Sequence, residues 1–265
     1  MKDNKTKVSI TTKLTERAYR IWYWYVNKVD KNSDILLMNY GYHDKDNQIK
    51  LDSVDESDRF SLQLYHHLAS KVELKDKDIV EIGCGRGGGL YYITKNFSPA
   101  SARGVDLDKQ AVTFCKCHYN MDELNFSQGD AQSLNLENNS CDVLINVESS
   151  HRYPDMAAFL GEVSRILRPN GHFLFTDFRH DYEFEAMKKD LDKCGLVMLK
   201  EEFINKEVVT ALNMDTERKK KLVNKLTPKV LHKTALNFAG AVGSSTYKQM
   251  LSRKYLYFTY VLQKV

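Results

Sequence analysis

The run Glu81-Ile82-Gly83-Cys84-Gly85-Arg86-Gly87-Gly88-Gly89 limits the fold more than any other stretch of this chain. It follows Ile79-Val80-Glu81-Ile82, which reads as a strand, and leads into a helical pattern from Gly87 to Asn96. Glycines let the backbone turn sharply and approach a ligand, and the helix behind them presents free N–H groups. A strand, a glycine turn and a helix in that order open a β-α-β unit, and the pattern downstream continues it. Ala102 to Leu107 reads as a strand, Lys109 to Asn120 as a helix, Asn125 to Gln128 as a short strand and Asp142 to Val147 as a buried strand. Asp155 to Leu167 carries Phe159, Val163 and Ile166 at helical spacing, Pro169-Asn170-Gly171 stops that helix, and His172 to Asp177 begins the next strand. Five strands alternating with helices predict an α/β fold with a doubly wound parallel sheet.

On either side of this core the pattern differs. Residues 1 to 13 are polar and aperiodic and read as a frayed terminus. Leu14 to Val29 shows Ala18, Trp22, Tyr25 and Val29 at helical spacing, and a second helical pattern runs through Leu62, Tyr65, Leu68 and Ala69. After Asp181 a helix is expected to Cys194, with Gly195 at its C′ position, then a strand from Leu196 to Leu199. Glu217 to Lys233 reads as a basic amphipathic helical segment kinked near Pro228, and Tyr255 to Leu262 as a closing strand. The expected organisation is a helical N-terminal lid over 1–70, a cofactor-binding core over 71–203, a helical insert or lid over 204–250, and a C-terminal strand over 251–265 that completes the sheet.

Composition excludes several classes. With 39 basic against 35 acidic residues and 42% hydrophobic residues, the 265-residue chain is neither a polybasic nucleic-acid binder nor a disordered acidic chain. No apolar run approaches the ~18 residues of a spanning helix, and the N-terminus lacks the apolar region of a signal peptide, so a cytoplasmic protein is expected. Five cysteines without framework spacing point to reduced thiols. Cys115 and Cys117 with His118 resemble half of a zinc site, but no second cluster accompanies them and no metal is expected.

Gly83, Gly85 and Gly88 also satisfy G-x-G-x-x-G, so a dinucleotide and S-adenosylmethionine both have to be weighed. Glu81, two residues before the first glycine, can face the cationic part of the latter. Asp106 ends the second strand, where a carboxylate accepts hydrogen bonds from ribose hydroxyls of either ligand. Asp130 in Gly129-Asp130-Ala131 follows the third strand and can take an adenine amino group, or can simply be a turn aspartate.

These blocks, with Gly104-Val105-Asp106 and Arg168-Pro169-Asn170-Gly171, resemble the class I S-adenosylmethionine-dependent methyltransferases. Met38-Asn39-Tyr40-Gly41-Tyr42, Asp55-Glu56, Gln63 to His67 and Asn146-Val147-Glu148-Ser149-Ser150-His151-Arg152-Tyr153-Pro154 more specifically resemble the phthiotriolone and phenolphthiotriolone dimycocerosate methyltransferases. The resemblance implies a Rossmann-like seven-stranded sheet and O-methylation of a hydroxyl on a lipid-like, polyketide-like or other small acceptor, with S-adenosyl-L-homocysteine as product. It implies a cofactor set of Glu81, Gly83, Cys84, Gly85, Gly87, Asp106, Leu107, Gln110, Asp130, Ala131 and Asn146, closed over by Tyr40 and Tyr42. Ordinary aromatic packing is the other reading of those tyrosines.

An aliphatic alcohol needs a base as it is methylated, and His151, just after the fourth strand, is the candidate, with an N-cap neighbour or a packed loop histidine as its other reading. The chain resembles sugar O-methyltransferases in having a histidine there and an aspartate at the end of the fifth strand, and that resemblance implies that Asp177 orients His151 or stabilises the imidazolium. Glu148 is a third candidate, either binding acceptor hydroxyls or satisfying backbone donors. Arg152 departs from the small or thiol residue that the resemblance implies at its position. Trp22 to Tyr25 can line an acceptor tunnel or belong to a core. The basic stretch Arg218 to Lys233 can touch anionic headgroups or be a solvated face, and oligomeric state stays open. Carbon methylation of a sterol-like alkene, a nicotinamide-dependent dehydrogenase and a non-catalytic cofactor-binding protein are the rival functions, since one superfold hosts many.

Overall fold

The computed structural model describes residue 30 and residues 33–265 of the chain. Two compact units divide it, 1–35 and 36–265. In the first, the Asp30 carboxylate accepts the backbone N–H groups of Asp34 (2.9 Å) and Ile35 (2.8 Å). The polar terminus, the expected helix from Leu14 to Val29 and the aromatic run Trp22 to Tyr25 lie outside the described residues.

The second unit is built on a seven-stranded sheet. Its strands are β1 (Asp78–Ile82), β2 (Ser101–Asp106), β3 (Leu124–Gln128), β4 (Cys141–Val147), β5 (Leu167–His180), β6 (Leu196–Phe203) and β7 (Tyr255–Lys264), in the spatial order β3-β2-β1-β4-β5-β7-β6. Strands β1 to β5 pair in parallel, whereas β7 runs antiparallel between β5 and β6. The order reverses beside β1, between β2 and β4, and such a switch point opens a crevice at the carboxyl ends of the strands.

Alternation along the central strands sends neighbours to opposite faces. Ile79, Val143, Ile145 and Leu174 join one core with α1 (Arg59–Ala69), α2 (Gly88–Phe97) and α3 (Lys109–His118). Val80, Ile82, Leu144, Phe173 and Phe175 join the other with α4 (Met156–Ile166) and α5 (Asp181–Leu191). Both faces are covered, which is why β1 and β4 read as near-continuous apolar runs. Local signals set the helix starts. Asp108 accepts the N–H of Gln110 ahead of α3, and Asp155 accepts that of Ala158 ahead of α4.

Three expectations need correction. Helix α4 stops at Ile166 and β5 begins at Leu167, upstream of Pro169. Leu167 pairs with Cys141, the register then shifts, and pairing resumes at His172 opposite Val143. Pro169 and Asn170 (φ 64°) fill the irregularity, where a missing donor and a left-handed residue are tolerated. Helix α5 ends at Leu191 rather than Cys194, while Gly195 does take a positive φ of 76°. The basic segment is not one kinked helix from Glu217: α6 spans Asn205–Leu226 and ends before Pro228. A short 3-10 turn, Lys229–Leu231, then leads to α7 (His232–Phe238) and α8 (Ser245–Leu251). All three helices lie between β6 and β7 in the chain. Among the described residues, no helix is long and apolar enough to cross a membrane.

Helices α1 and α2 approach closely at Gly89, where an added Cβ would lie 1.9 Å from the Tyr65 ring of α1. Gly89→Ala is therefore expected to lower stability by about 1–3 kcal/mol through overpacking. Urea unfolding measures this, and an unchanged midpoint would contradict the packing described.

Candidate active site

The glycine turn lies between β1 and α2, at the switch point. Gly83, Gly85 and Gly87 all have positive φ (74°, 54° and 75°), a backbone that side chains rarely adopt. The N–H groups of Gly83 and Cys84 donate to the Val105 carbonyl, that of Gly87 to the Cys84 carbonyl, and that of Gly85 to Asp106 Oδ2 at 2.8 Å. Four turn donors are thus used within the protein rather than offered to a pyrophosphate. Around them stand carboxyl groups. Glu81 is fully buried, accepts the Tyr65 hydroxyl at 2.8 Å through Oε1, and leaves Oε2 without a partner. Burial pushes its pKa up to about 7. Asp106 also accepts the Asp108 N–H, and burial raises its pKa. A cradle of carboxyl groups with satisfied amides suits a ligand carrying a cation and hydroxyl donors, and so fits S-adenosylmethionine better than a dinucleotide.

The remaining expected cofactor residues divide into two groups. Cys84 is buried beside Gly104, and Ala131 is buried. Leu107, Gln110 and Asp130 are exposed on the rim beyond β2 and β3. Asp130 accepts the Gln132 N–H at 2.9 Å, the turn geometry that was its alternative reading. Asn146, at the end of β4, is fully buried; its amide donates to the Ile82 carbonyl (2.8 Å) and the Tyr153 hydroxyl (3.1 Å), and its Oδ1 has no partner. Tyr153 and Ser149 share a hydrogen bond of 2.8 Å and crowd Gly83, where an added Cβ would lie 2.0 Å from Ser149 Oγ.

Residues 36–42 form a strap across this turn. The Leu36 carbonyl packs against Gly88, and Met38 Cε lies 3.5 Å from where a Gly85 Cβ would be. Tyr40 then meets Phe178, with ring centroids 5.5 Å apart. Gly41 (φ 89°) permits the turn beneath Phe60, and Tyr42 is buried with its ring stacked on His67 at 4.2 Å.

On the β4–β5 side, His151 lies in a 3-10 turn, Ser150–Arg152, directly after β4. Its Nδ1 is 2.7 Å from Asp177 Oδ1. Asp177, near the end of β5, is fully buried and also accepts the Ser150 hydroxyl (2.7 Å) and the His151 backbone N–H (3.0 Å), with Arg179 at 3.0 Å. Burial alone would raise its pKa, but His151 and Arg179 outweigh that and hold the carboxyl well below its usual range. Burial, the largest influence on His151, lowers its pKa, opposed by Asp177. The ring is therefore neutral near pH 7. An ionised Asp177 only accepts, so Nδ1 carries the proton and Nε2 keeps its lone pair. That Nε2 is buried and has no hydrogen-bond partner, and the ring sits 4.4 Å from that of Phe178.

Glu148 follows β4 with a φ of 44°, an uncommon value for a side-chain-bearing residue. Its Oε1 accepts the Tyr40 N–H at 2.7 Å and a short hydrogen bond from the Tyr257 hydroxyl. Burial pushes its pKa up to about 8. Lys219 of α6 is buried, with Nζ 3.5 Å from the Tyr40 carbonyl oxygen and 3.7 Å from Asp215, and burial lowers its pKa to about 8. Sequence reasoning missed Tyr257, Lys219, Phe178 and Ser149. Ser149 stands inside a block that resembled a family, but Tyr257 and Lys219 sit in a strand and a basic helix where spacing gives no sign of their inward partners.

The match to known proteins agrees with this geometry. A family model described as a methyltransferase domain matches residues 80–175. The chain is 38% identical to a fatty-acid O-methyltransferase of Mycolicibacterium smegmatis, over 84% of this chain and 81% of that protein. It is 33% identical to a phthiotriol/phenolphthiotriol dimycocerosates methyltransferase of Mycobacterium tuberculosis, over 96% of this chain and 94% of that one. Among solved structures, a cyclopropane synthase from Mycobacterium tuberculosis shares the fold, with a TM-score of 0.71 at 12% identity over 91% of this chain and 98% of that one. A seven-stranded sheet of this order, the glycine turn at its switch point and relatives of this similarity together make the chain a member of the class I S-adenosylmethionine-dependent methyltransferases.

Proposed function

We propose that this methyltransferase acts on a hydroxyl oxygen of a lipid-like acceptor, with His151 as general base and Asp177 as its partner. The observation that carries the reading is the His151 ring, whose protonated nitrogen is engaged by a buried carboxylate while the other, unprotonated and buried, is unpartnered. An alcohol needs that lone pair, because it must shed a proton as the new C–O bond forms. A carboxylate acceptor is already ionised and would gain nothing from it. The relatives named for a fatty acid and for phthiotriol dimycocerosates support a lipid-like acceptor.

Glu81, Asp106, the turn from Gly83 to Gly87 and Asn146 would hold S-adenosylmethionine, with Cys84 and Ala131 as apolar wall and Leu107, Gln110 and Asp130 at the rim. When bound, it supplies an electrophilic methyl group on a sulfonium. The protein's part is to align the acceptor oxygen, exclude water and receive the hydroxyl proton on His151 Nε2. Asp177 then faces an imidazolium at 2.7 Å and stabilises it. Carbon methylation would need Glu148 free to steady a cation, but its Oε1 already accepts from Tyr40 and Tyr257.

The outer face of α6 and the turn beyond it fit a peripheral role at a membrane from the cytoplasmic side. Lys220, Lys221, Lys225, Lys229 and Lys233 are exposed there, and Val230 is 84% exposed among them.

His151→Ala is expected to cut turnover about 10²–10⁴-fold while S-adenosylhomocysteine binding measured by calorimetry is retained. A fully active variant would eliminate the base assignment. The rate of the wild-type enzyme should rise with pH along an acid limb centred below 6.5, the ordinary imidazole value, because burial favours neutral His151. A pH–rate profile checks this, and a limb centred above that value would contradict it. Lys221→Glu, Lys225→Glu and Lys229→Glu together should abolish cosedimentation with vesicles containing phosphatidylglycerol; wild-type protein that ignores such vesicles would remove the membrane proposal.

A further inference from the structure

Two buried titratable side chains outside the proposed proton transfer converge on one residue of the strap. Glu148 Oε1 takes the N–H of Tyr40, and Lys219 Nζ points at the carbonyl oxygen of the same residue. They arrive from unrelated parts of the chain, one from the loop after β4 and the other from α6 of the insert. Lys219 has Asp215 as its ion-pair partner at 3.7 Å, but both Asp215 oxygens are taken by Arg218, at 2.6 and 2.7 Å. A buried ammonium facing a shared carboxylate keeps donor capacity for the strap. Glu148 holds its place with a left-handed backbone, a local cost that the surroundings must offset, and Tyr257 fixes the carboxyl from β7. What they hold leads to the base. The Tyr40 ring packs on Phe178, and Phe178 packs on the His151 ring.

We propose that Glu148 and Lys219 are a pair of positioning residues for the reaction: by gripping both sides of the Tyr40 backbone they clamp the strap 36–42 over the glycine turn and fix the aromatic wall behind His151. Neither contacts the reacting atoms. The clamp also couples the insert to the cofactor side, since α6 supplies one of its jaws. The proposal rests on the methyltransferase reading only for what lies beneath the strap.

Amide hydrogen exchange on the full-length protein, followed by mass spectrometry, reads the strap directly, and S-adenosylhomocysteine affinity reads its consequence. Lys219→Met and Glu148→Leu, which removes the acceptor oxygen, should each speed exchange in 36–42 by about tenfold and weaken S-adenosylhomocysteine by a similar factor, with β1 and β4 amides unchanged. The double variant should be little worse than either single one, because both hold the same residue of the strap. Lys219→Arg should restore most of the protection. Strap exchange at the wild-type rate in the single variants would overturn the proposal, as would acceleration spread equally over β1 and β4, which marks general loosening. If Lys219→Met does not fold, Glu148→Leu and Tyr257→Phe carry the same comparison. Failure of the wild-type protein to bind S-adenosylhomocysteine would instead count against the cofactor reading, and the exchange data would still decide on the clamp.

Discussion

The Asp177 carboxylate is the interaction on which the site depends. It sits where the fifth strand ends, fully buried, and it gathers Ser150, both the backbone and ring of His151, and Arg179. A buried carboxylate in a parallel α/β core is costly unless its charge is matched and its lone pairs are used, and here both conditions hold. The Arg179 guanidinium is tied in turn to the Ser150 hydroxyl at 2.6 Å, so the network closes on itself. The turn after β4 is thereby fixed relative to β5, and the imidazole orientation follows from the sheet rather than from a free rotamer. The placement of the imidazole is a by-product of how two neighbouring strands end.

How much of this was legible in the sequence depended on whether a residue acts through its neighbours in sequence or through distant ones. The glycine turn was visible because five glycines between a strand and a helix permit few other structures, and the order of core elements followed from alternation and breakers. His151 is legible from its place after the fourth strand and Asp177 through a resemblance, and the hydrogen bond between them supplies the physical reason for the pairing. The start of α6 was not legible. Its first turns carry Val208-Val209-Thr210, β-branched residues with weak helix preference, and the helix forms because Val208 and Leu212 bury in the core. The early start of β5 was hidden for a related reason: Pro169 and Gly171 signal a break, yet the chain keeps its strand direction through a register shift.

Lys219 shows the limit most clearly. It lies among Arg218, Lys220 and Lys221, and composition gives all four the same solvated reading. Helical geometry separates them, placing Lys219 inward toward Tyr40 while Lys220 and Lys221 remain exposed. A run of like charge therefore carries two tasks on one helix, and only the tertiary partner tells them apart. Glu148 is the mirror case. Its sequence leaves two readings, contact with acceptor hydroxyls or service to backbone donors, and its Oε1 takes the Tyr40 N–H and the Tyr257 hydroxyl.

The two sides of the crevice hold their polar groups differently. At the glycine turn, the backbone donors of Gly83, Cys84, Gly85 and Gly87 are paired internally and one carboxyl oxygen, Oε2 of Glu81, is left over. Beyond β4, the carboxylate of Asp177 is saturated and a ring nitrogen is left over. Buried polar atoms without partners are rare in native folds because each costs on the order of 1–3 kcal/mol. Glu81 Oε2 and Asn146 Oδ1 on one side and His151 Nε2 on the other match what methyl transfer to oxygen requires: a cation held on one side, and a proton taken away on the other. The strap and the insert meet above both, so closing the crevice removes water from the two halves at once and strengthens each electrostatic contact inside.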